Sequence, residues 1–362
     1  MKRIPTLLLL LTAGFFSGLG KDPEARGSAA AQDALQVSWI VQPGGSMAGL
    51  RGVSVVDGRV AWASGTQGTV LRTLDGGKTW LDGTIPGAEK MDFRDIEALS
   101  AAEALVLSIG RPAKIFKTRD GGNTWMETYS NDTEGIFLDA MAFFDERSGL
   151  AVGDPMDGRI MLITTEDGGD TWRELLLGQR PEATEGEGAF AASGTCLTVY
   201  GKTHAWVSTG GPAARVLISS DRGRNWKAVG SPLNAGKASA GGFSLVFLNE
   251  KEGVMVGGDY RDEPAVFKNA AVTADGGKTW DIVETRQPSG FRECVIRVPG
   301  LSPPLFITVG PNGSDYSRDL GKTWVPIAGP SGFHGAGVSR KDGSVWAVGR
   351  EGLIAKMEIK GR

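Results

Sequence analysis

From residue 35 onward, short apolar runs alternate with polar, glycine-bearing breaks, and no stretch sustains the 3.6-residue apolar period of a helix. The pattern is clearest between residues 93 and 129. Phe93 to Ser100 and Ala104 to Gly110 read as two strands, Lys114 to Thr118 as a third and Trp125 to Tyr129 as a fourth. Phe137-Leu138-Asp139-Ala140, Phe243-Ser244-Leu245-Val246, Phe291-Arg292-Glu293-Cys294 and Phe333-His334-Gly335-Ala336 open equivalent first strands elsewhere. Four strands in about 45 residues is the dimension of a propeller blade.

One stretch departs from this pattern. Ile4 to Leu19 is a nearly unbroken apolar run behind Lys2 and Arg3. It falls short of the roughly 20 residues that span a bilayer and suits the apolar core of a secretory signal. Ala29-Ala30-Ala31 offers a small-residue cleavage site before Gln32, and Gly18-Leu19-Gly20 an earlier one. Residues 1–31 are therefore expected to be a signal peptide and processing segment. Residues 32–362 are expected to form one exported domain, periplasmic or secreted, with no membrane span after cleavage.

A single motif punctuates the strands. Thr73-Leu74-Asp75-Gly76-Gly77-Lys78-Thr79-Trp80 recurs in the form [ST]-x-D-x-G-x-[TN]-W around Asp120, Asp167, Asp221, Asp275 and Asp319, at steps of 45, 47, 54, 54 and 44 residues. Each copy ends in a tryptophan: Trp80, Trp125, Trp172, Trp226, Trp280 and Trp324. The carboxylate can accept hydrogen bonds from its own turn, and the glycine beyond it tolerates positive φ. The tryptophan offers a broad face for packing against a neighbouring sheet. These twelve residues are expected to be structural staples.

At about 47 residues per repeat, the chain after residue 31 holds seven blades. Six carry the motif. The last, from Phe333 to Lys360, shows three strands (335–339, 344–349 and 353–359) and no fourth. Val37-Ser38-Trp39-Ile40-Val41 is a strand without a blade, with Trp39 where a motif tryptophan would stand. The predicted fold is all-β: a seven-bladed propeller of four antiparallel strands per blade, its ring closed by the N-terminal strand.

The motif is the Asp-box (BNR) repeat. On a seven-bladed frame the chain resembles the photosystem II stability/assembly factor family and its non-photosynthetic bacterial relatives, over roughly residues 35 to 360. The resemblance implies a binding scaffold, since plant and cyanobacterial members are assembly chaperones for a membrane-protein partner. Sialidases and sortilin-type receptors share the box, so it specifies fold more than function.

Composition narrows the chemistry. Glycine contributes 54 of 362 residues and tryptophan 10 against 4 tyrosines, as a turn-rich repeat requires. A net charge of −3 removes the basic footprint of a nucleic-acid binder. Two histidines and two cysteines leave no zinc site. Cys196 and Cys294 fall a blade apart, beyond the reach of a disulfide. No cofactor or metal is expected.

In such a ring the boxes share one face. The opposite face gathers the loops into each first strand and out of each second. Mapping residues there places Arg51, Arg94, Arg292 and His334 at one repeat position on adjoining blades. Asp95, Asp139 and Glu293 fall one residue further on. Arg215, Asp259 and Tyr260 follow from later loops, and Glu187 comes from the acidic loop 178–192. Such an arc suits an anion or carboxylate, because arginine forks match that geometry. The reading is a monomeric, non-catalytic scaffold with a protein partner, and a small acidic ligand as a further occupant. The runner-up is a sialidase-like glycoside hydrolase acting on extracellular carbohydrate. Gly186-Glu187-Gly188-Ala189-Phe190-Ala191 matches a loose dinucleotide fingerprint, but lacks the strand before it and the helix after it that hold a pyrophosphate.

Overall fold

The computed structural model describes residues 35–361, so the expected signal segment lies outside the described residues. Seven sheets follow one another along the chain, each with four antiparallel strands, in sequence order in all but the last, and one of them gains a fifth. The second blade is representative: Phe93–Ala98, Ala104–Ser108, Ala113–Thr118 and Met126–Asn131. First strands of neighbouring blades touch all the way round, so they form the inner wall of a closed ring. Among the described residues the only helical turns are Leu177–Gln179 and Arg350–Gly352, and no helix is long and apolar enough to cross a membrane.

Closure is by the N-terminal strand. Gln36–Gln42 pairs antiparallel with Ile354–Lys360, the third strand of blade seven. In blade one, Trp62 faces Arg72 and Arg72 faces Leu81. In blade seven, Trp346 faces Lys356 and Lys356 faces Ile40. Trp39 therefore occupies the register position of Trp80. Its indole Nε1 donates to Ser314 Oγ of blade six at 2.9 Å and its ring tilts against Phe333 at 5.1 Å. The N-terminal strand thus supplies the missing tryptophan as well as the missing strand.

Each box is a closed set of hydrogen bonds. At the first, the Thr79 amide and the Thr73 hydroxyl donate to Asp75 Oδ1 at 3.0 Å, and the Thr79 hydroxyl donates to Oδ2 at 2.7 Å. The Gly77 amide donates to Thr73 Oγ1 at 2.9 Å. Equivalent sets surround the other five aspartates. The second glycine of the box is also the seam between blades. Gly77 (φ +88°) lies over Trp346 and Gly169 (φ +84°) over Leu105, where a Cβ would stand 2.5 Å and 2.2 Å from the neighbouring side chain. Only glycine supplies both the positive φ and the clearance.

The Thr79 hydroxyl and amide hold the Asp75 carboxyl down to about 2; at Asp167 burial opposes the shift, but Thr171 still brings it to about 2. A carboxyl depressed in the fold stabilises it above the unfolded value and loses that contribution as pH falls toward the folded value. The melting temperature is therefore expected to fall between about pH 4 and pH 2. Asp75→Asn should make that fall shallower than in the parent. Superimposable parent and variant profiles would show that the box carboxylate is not its source.

Two first strands differ from expectation. In blade five the strand runs Lys237–Phe247, beginning well before Phe243, because Gly210–Gly211 from the preceding blade pairs along its start. In blade six the strand begins at Cys294, not Phe291. The Phe291 and Arg292 amides donate instead to Glu263 and Gly257 carbonyls of blade five. The box tryptophans sit immediately before the fourth strands, which are only two residues long in blades one, three and five. Cys196 and Cys294 are buried and free.

Candidate functional site at the mouth of the channel

The first strands carry a β-bulge where they reach the channel mouth, and the bulge decides which side chain looks inward. The register skips Arg51, Arg94, Asp139, Phe243 and His334 in blades one, two, three, five and seven. A bulge leaves its extra residue unpaired and re-aims it. In blade six, Cys294 already pairs with Val309 while the Glu293 amide donates to the same Val309 carbonyl at 3.0 Å, so Glu293 is the extra residue. All six side chains line one cavity of about 1310 Å³. No box residue lines it, as expected for the opposite face.

This corrects the arc by one residue in two blades. Arg292 does not share the position of Arg51 and Arg94; Glu293 does. Asp139, placed one residue past the arc from sequence, lies on it. A one-residue slip sends a strand side chain to the other face. Arg292 is accordingly fully buried inside blade six, where its Nε donates to Asp315 Oδ2 at 2.8 Å. Its remaining nitrogens donate to the Phe291 carbonyl, Asn312 Oδ1 and Ser289 Oγ.

The cationic heads that do reach the cavity are already engaged. Arg51 Nη1 lies 3.2 Å from Glu293 Oε2 and 3.2 Å from His334 Nδ1, and His334 Nδ1 lies 3.0 Å from the same carboxylate oxygen. Burial lowers the Arg51 pKa, with Glu293 opposing the shift. Arg94 donates from Nε to Asp92 at 2.8 Å and from Nη1 to the Ala191 carbonyl at 2.8 Å. Its partner is Asp92, not the neighbouring Asp95, which accepts the Ile96 and Met141 amides instead. Arg350, which sequence reasoning missed, pairs with Glu263 at 2.9 Å.

The remaining expected residues divide. Tyr260 lines the cavity and is 42% exposed, set edge-on to Phe190 and Phe243, whose rings stack at 3.8 Å. Glu187 lines it too, and Arg215 lies behind it, donating from Nε to Glu187 Oε1 at 2.9 Å. Thr209 donates to the same oxygen at 2.6 Å, and although burial pushes the Glu187 carboxyl up, these partners bring it below its usual value. Arg215 also holds the Glu182 carbonyl at 2.6 Å, so it pins the acidic loop rather than facing a ligand. Asp259 does not line the cavity; it binds Lys237 Nζ at 2.9 Å and the Arg261 amide at 3.0 Å. Arg292 and Arg215 thus both stand behind the wall of the cavity.

Asp154 and the Gly188–Ala192 end of the acidic loop, both expected on this face from sequence, line the cavity as well. Burial pushes the Asp154 carboxyl up to about 6. Asp139 is raised well above the usual carboxylate range, by burial first and by Asp154 second, with Arg94 opposing. Neither Asp139 oxygen has a well-formed hydrogen bond, although the Ala191 amide lies near. Among the described residues, no group of three His, Cys, Asp or Glu is placed to hold a metal ion.

Comparison with family models matches residues 35–132 to the Photosynthesis system II assembly factor YCF48. Comparison with curated proteins gives no match. Among solved structures, the fold is similar to YCF48 bound to D1 peptide, at 17% identity and a TM-score of 0.62, over 88% of this chain and 96% of that one. YCF48 from Cyanidioschyzon merolae gives 17% and 0.61, over 88% and 98%. Virginiamycin B lyase from Staphylococcus aureus gives 15% and 0.62, over 90% and 99%. At these identities the likeness is one of fold. The chain is a seven-bladed Asp-box propeller that resembles the photosystem II assembly factors.

Proposed function

We propose that this propeller is a non-catalytic scaffold that captures a segment of a protein partner at the channel mouth. The observation that carries the reading is the cavity itself. It is large enough for several residues of extended chain and is walled by the Phe190–Phe243 stack and Tyr260. Aromatic walls with a few placed polar groups are usual in binding clefts. YCF48, similar in fold, has been solved with a D1 peptide, which favours a peptide over a small metabolite as occupant. An acidic occupant for the arginine arc draws less support, because Arg51 and Arg94 already hold carboxylates of the chain. The basic residues and apolar run at 2–19 support export, with the partner outside the cytoplasm.

The test compares rim variants on one partner. Proteins recovered on the parent propeller from the native envelope would be quantified again on Phe190→Ala with Tyr260→Ala, and on Lys78→Ala from the box face. The rim variant is expected to retain the parent's melting temperature and lose roughly tenfold or more in capture, as aromatic anchors do. The box-face variant should capture like the parent. Capture unchanged at the rim and lost at the box face would overturn the reading, as would product release from a glycan panel.

A further inference from the structure

We propose that the floor of this cavity is a cation site, in which the carboxyls of Asp139 and Asp154 receive the guanidinium or ammonium of a basic side chain on the captured segment. The inference rests on the partner-capture reading and names the chemistry of the occupant.

Three observations carry it. Asp139 is fully buried, lines the cavity and has no well-formed hydrogen bond to either carboxyl oxygen, with only the Ala191 amide near. A buried carboxyl in that condition is costly, and folds normally satisfy or remove it. Asp154, half-buried on the same wall, likewise makes no ion pair among the described residues. The two are close enough that the Asp154 charge disfavours ionisation of Asp139.

The surrounding charge balance points the same way. Arg51, Arg94 and Arg350 are the cationic arginines lining the cavity, and each is matched by its own carboxylate: Glu293, Asp92 and Glu263. Glu187 is matched by Arg215 from behind. Among the described residues, what remains without an ion pair on the lining is acidic: Asp139, Asp154, Glu185 and Glu351. A cation entering here would meet no free positive charge. The absence of any three-ligand group among the described residues favours an organic cation over a metal ion.

The covering is also suited to the task. The loop Gly188-Ala189-Phe190-Ala191-Ala192 lines the cavity beside both carboxyls, and Gly188 lies so close that a Cβ there would stand 2.5 Å from Asp154 Oδ1. Its small residues put backbone rather than bulk over the pair. Phe190, stacked on Phe243, offers an apolar face to the stem of a lysine or arginine and a π-face to its head. Burial raises both carboxyls above the usual range, Asp154 to about 6, so protonation at low pH competes with a cation here. Arg94 and the amides of Ala189 and Ala191 favour the ionised forms, while Cys196 beside them is a buried neutral thiol.

The experiment uses three probes on the full-length propeller: N-acetyl-arginine N-methylamide, N-acetyl-lysine N-methylamide and the uncharged N-acetyl-citrulline N-methylamide. Binding would be followed by NMR titration at pH 5 and pH 8. A charged probe is expected to bind at least tenfold more tightly than citrulline, and more tightly at pH 8 than at pH 5. Asp139→Asn should abolish that preference without lowering the melting temperature, and Asp154→Asn serves the same purpose if the first variant does not fold. Equal binding of charged and uncharged probes, no binding of any probe, or a preference surviving both substitutions would overturn the cation site. If Asp139→Asn still captures the partner while Phe190→Ala with Tyr260→Ala does not, the cation site fails and partner capture stands. If neither variant affects capture, both fail.

Discussion

Deleting residues 32–42 is expected to turn the propeller into an aggregating or strongly destabilised chain. The strand removed is the outer strand of blade seven and pairs along its whole length, from Gln36 opposite Lys360 to Gln42 opposite Ile354. Without it, Ile354–Lys360 becomes an open edge, which is a template for pairing with another copy. Trp39 leaves with it, uncovering Met357 and Phe333 and breaking the bond to Ser314 of blade six. Loss of a buried tryptophan alone costs about 3–5 kcal/mol. Size-exclusion chromatography and thermal melting check the outcome. A monomeric deletion variant melting within about two degrees of the parent would show that the ring closes without this strand.

Arg292→Ala is expected to destabilise the fold by about 3–5 kcal/mol, the cost of leaving a buried charge without its partner. The orphan would be Asp315, which is fully buried and accepts from Arg292 and from the Ser289 hydroxyl at 2.8 Å. Asn312 would lose its Arg292 donor as well. Arg94→Ala supplies the contrast. It stands partly exposed at the rim, so its pair with Asp92 contributes at most about 1 kcal/mol. Urea unfolding of the two single variants and of Arg292→Ala with Asp315→Ala measures both effects. The double variant should recover part of the loss, because it removes the unpaired charge. An Arg292→Ala protein as stable as the parent but weak in partner capture would return Arg292 to the mouth of the channel.

The ring was legible because its determinants are local. The box threonine, aspartate and glycine bond within one turn, so six copies announce six third-to-fourth hairpins. Trp39 was assignable because the missing strand and the missing tryptophan are the same five residues. The site was legible only to within one residue. Phenylalanine marked the start of the first strand in blades two and seven, but in blade three the equivalent position is Leu138, in blade six it is Arg292, and in blade five Phe243 is itself the bulge. A better marker lies across the hairpin. Gly65, Gly153, Gly257, Gly310 and Gly349 face the carbonyl two residues before the bulge so closely that a Cβ would collide with it. Using those glycines requires the hairpin register, which composition and spacing do not fix. The acidic floor was hidden for the same reason, since Asp139 reaches the cavity only through its bulge.

The pairing of Gln36 with Lys360 also orders events in time. The strand Gln36–Gln42 finds its partner only after all seven first strands of the ring have been made. Every intermediate length is an arc of blades with two raw ends. Contacts so distant in sequence make folding slow and expose the chain while it waits. For a chain read as exported, the delay is useful. Were the chain exported as proposed, a ring that cannot lock before its last strand appears would remain threadable through a translocation channel, and its final latch would fall to the far side of the membrane.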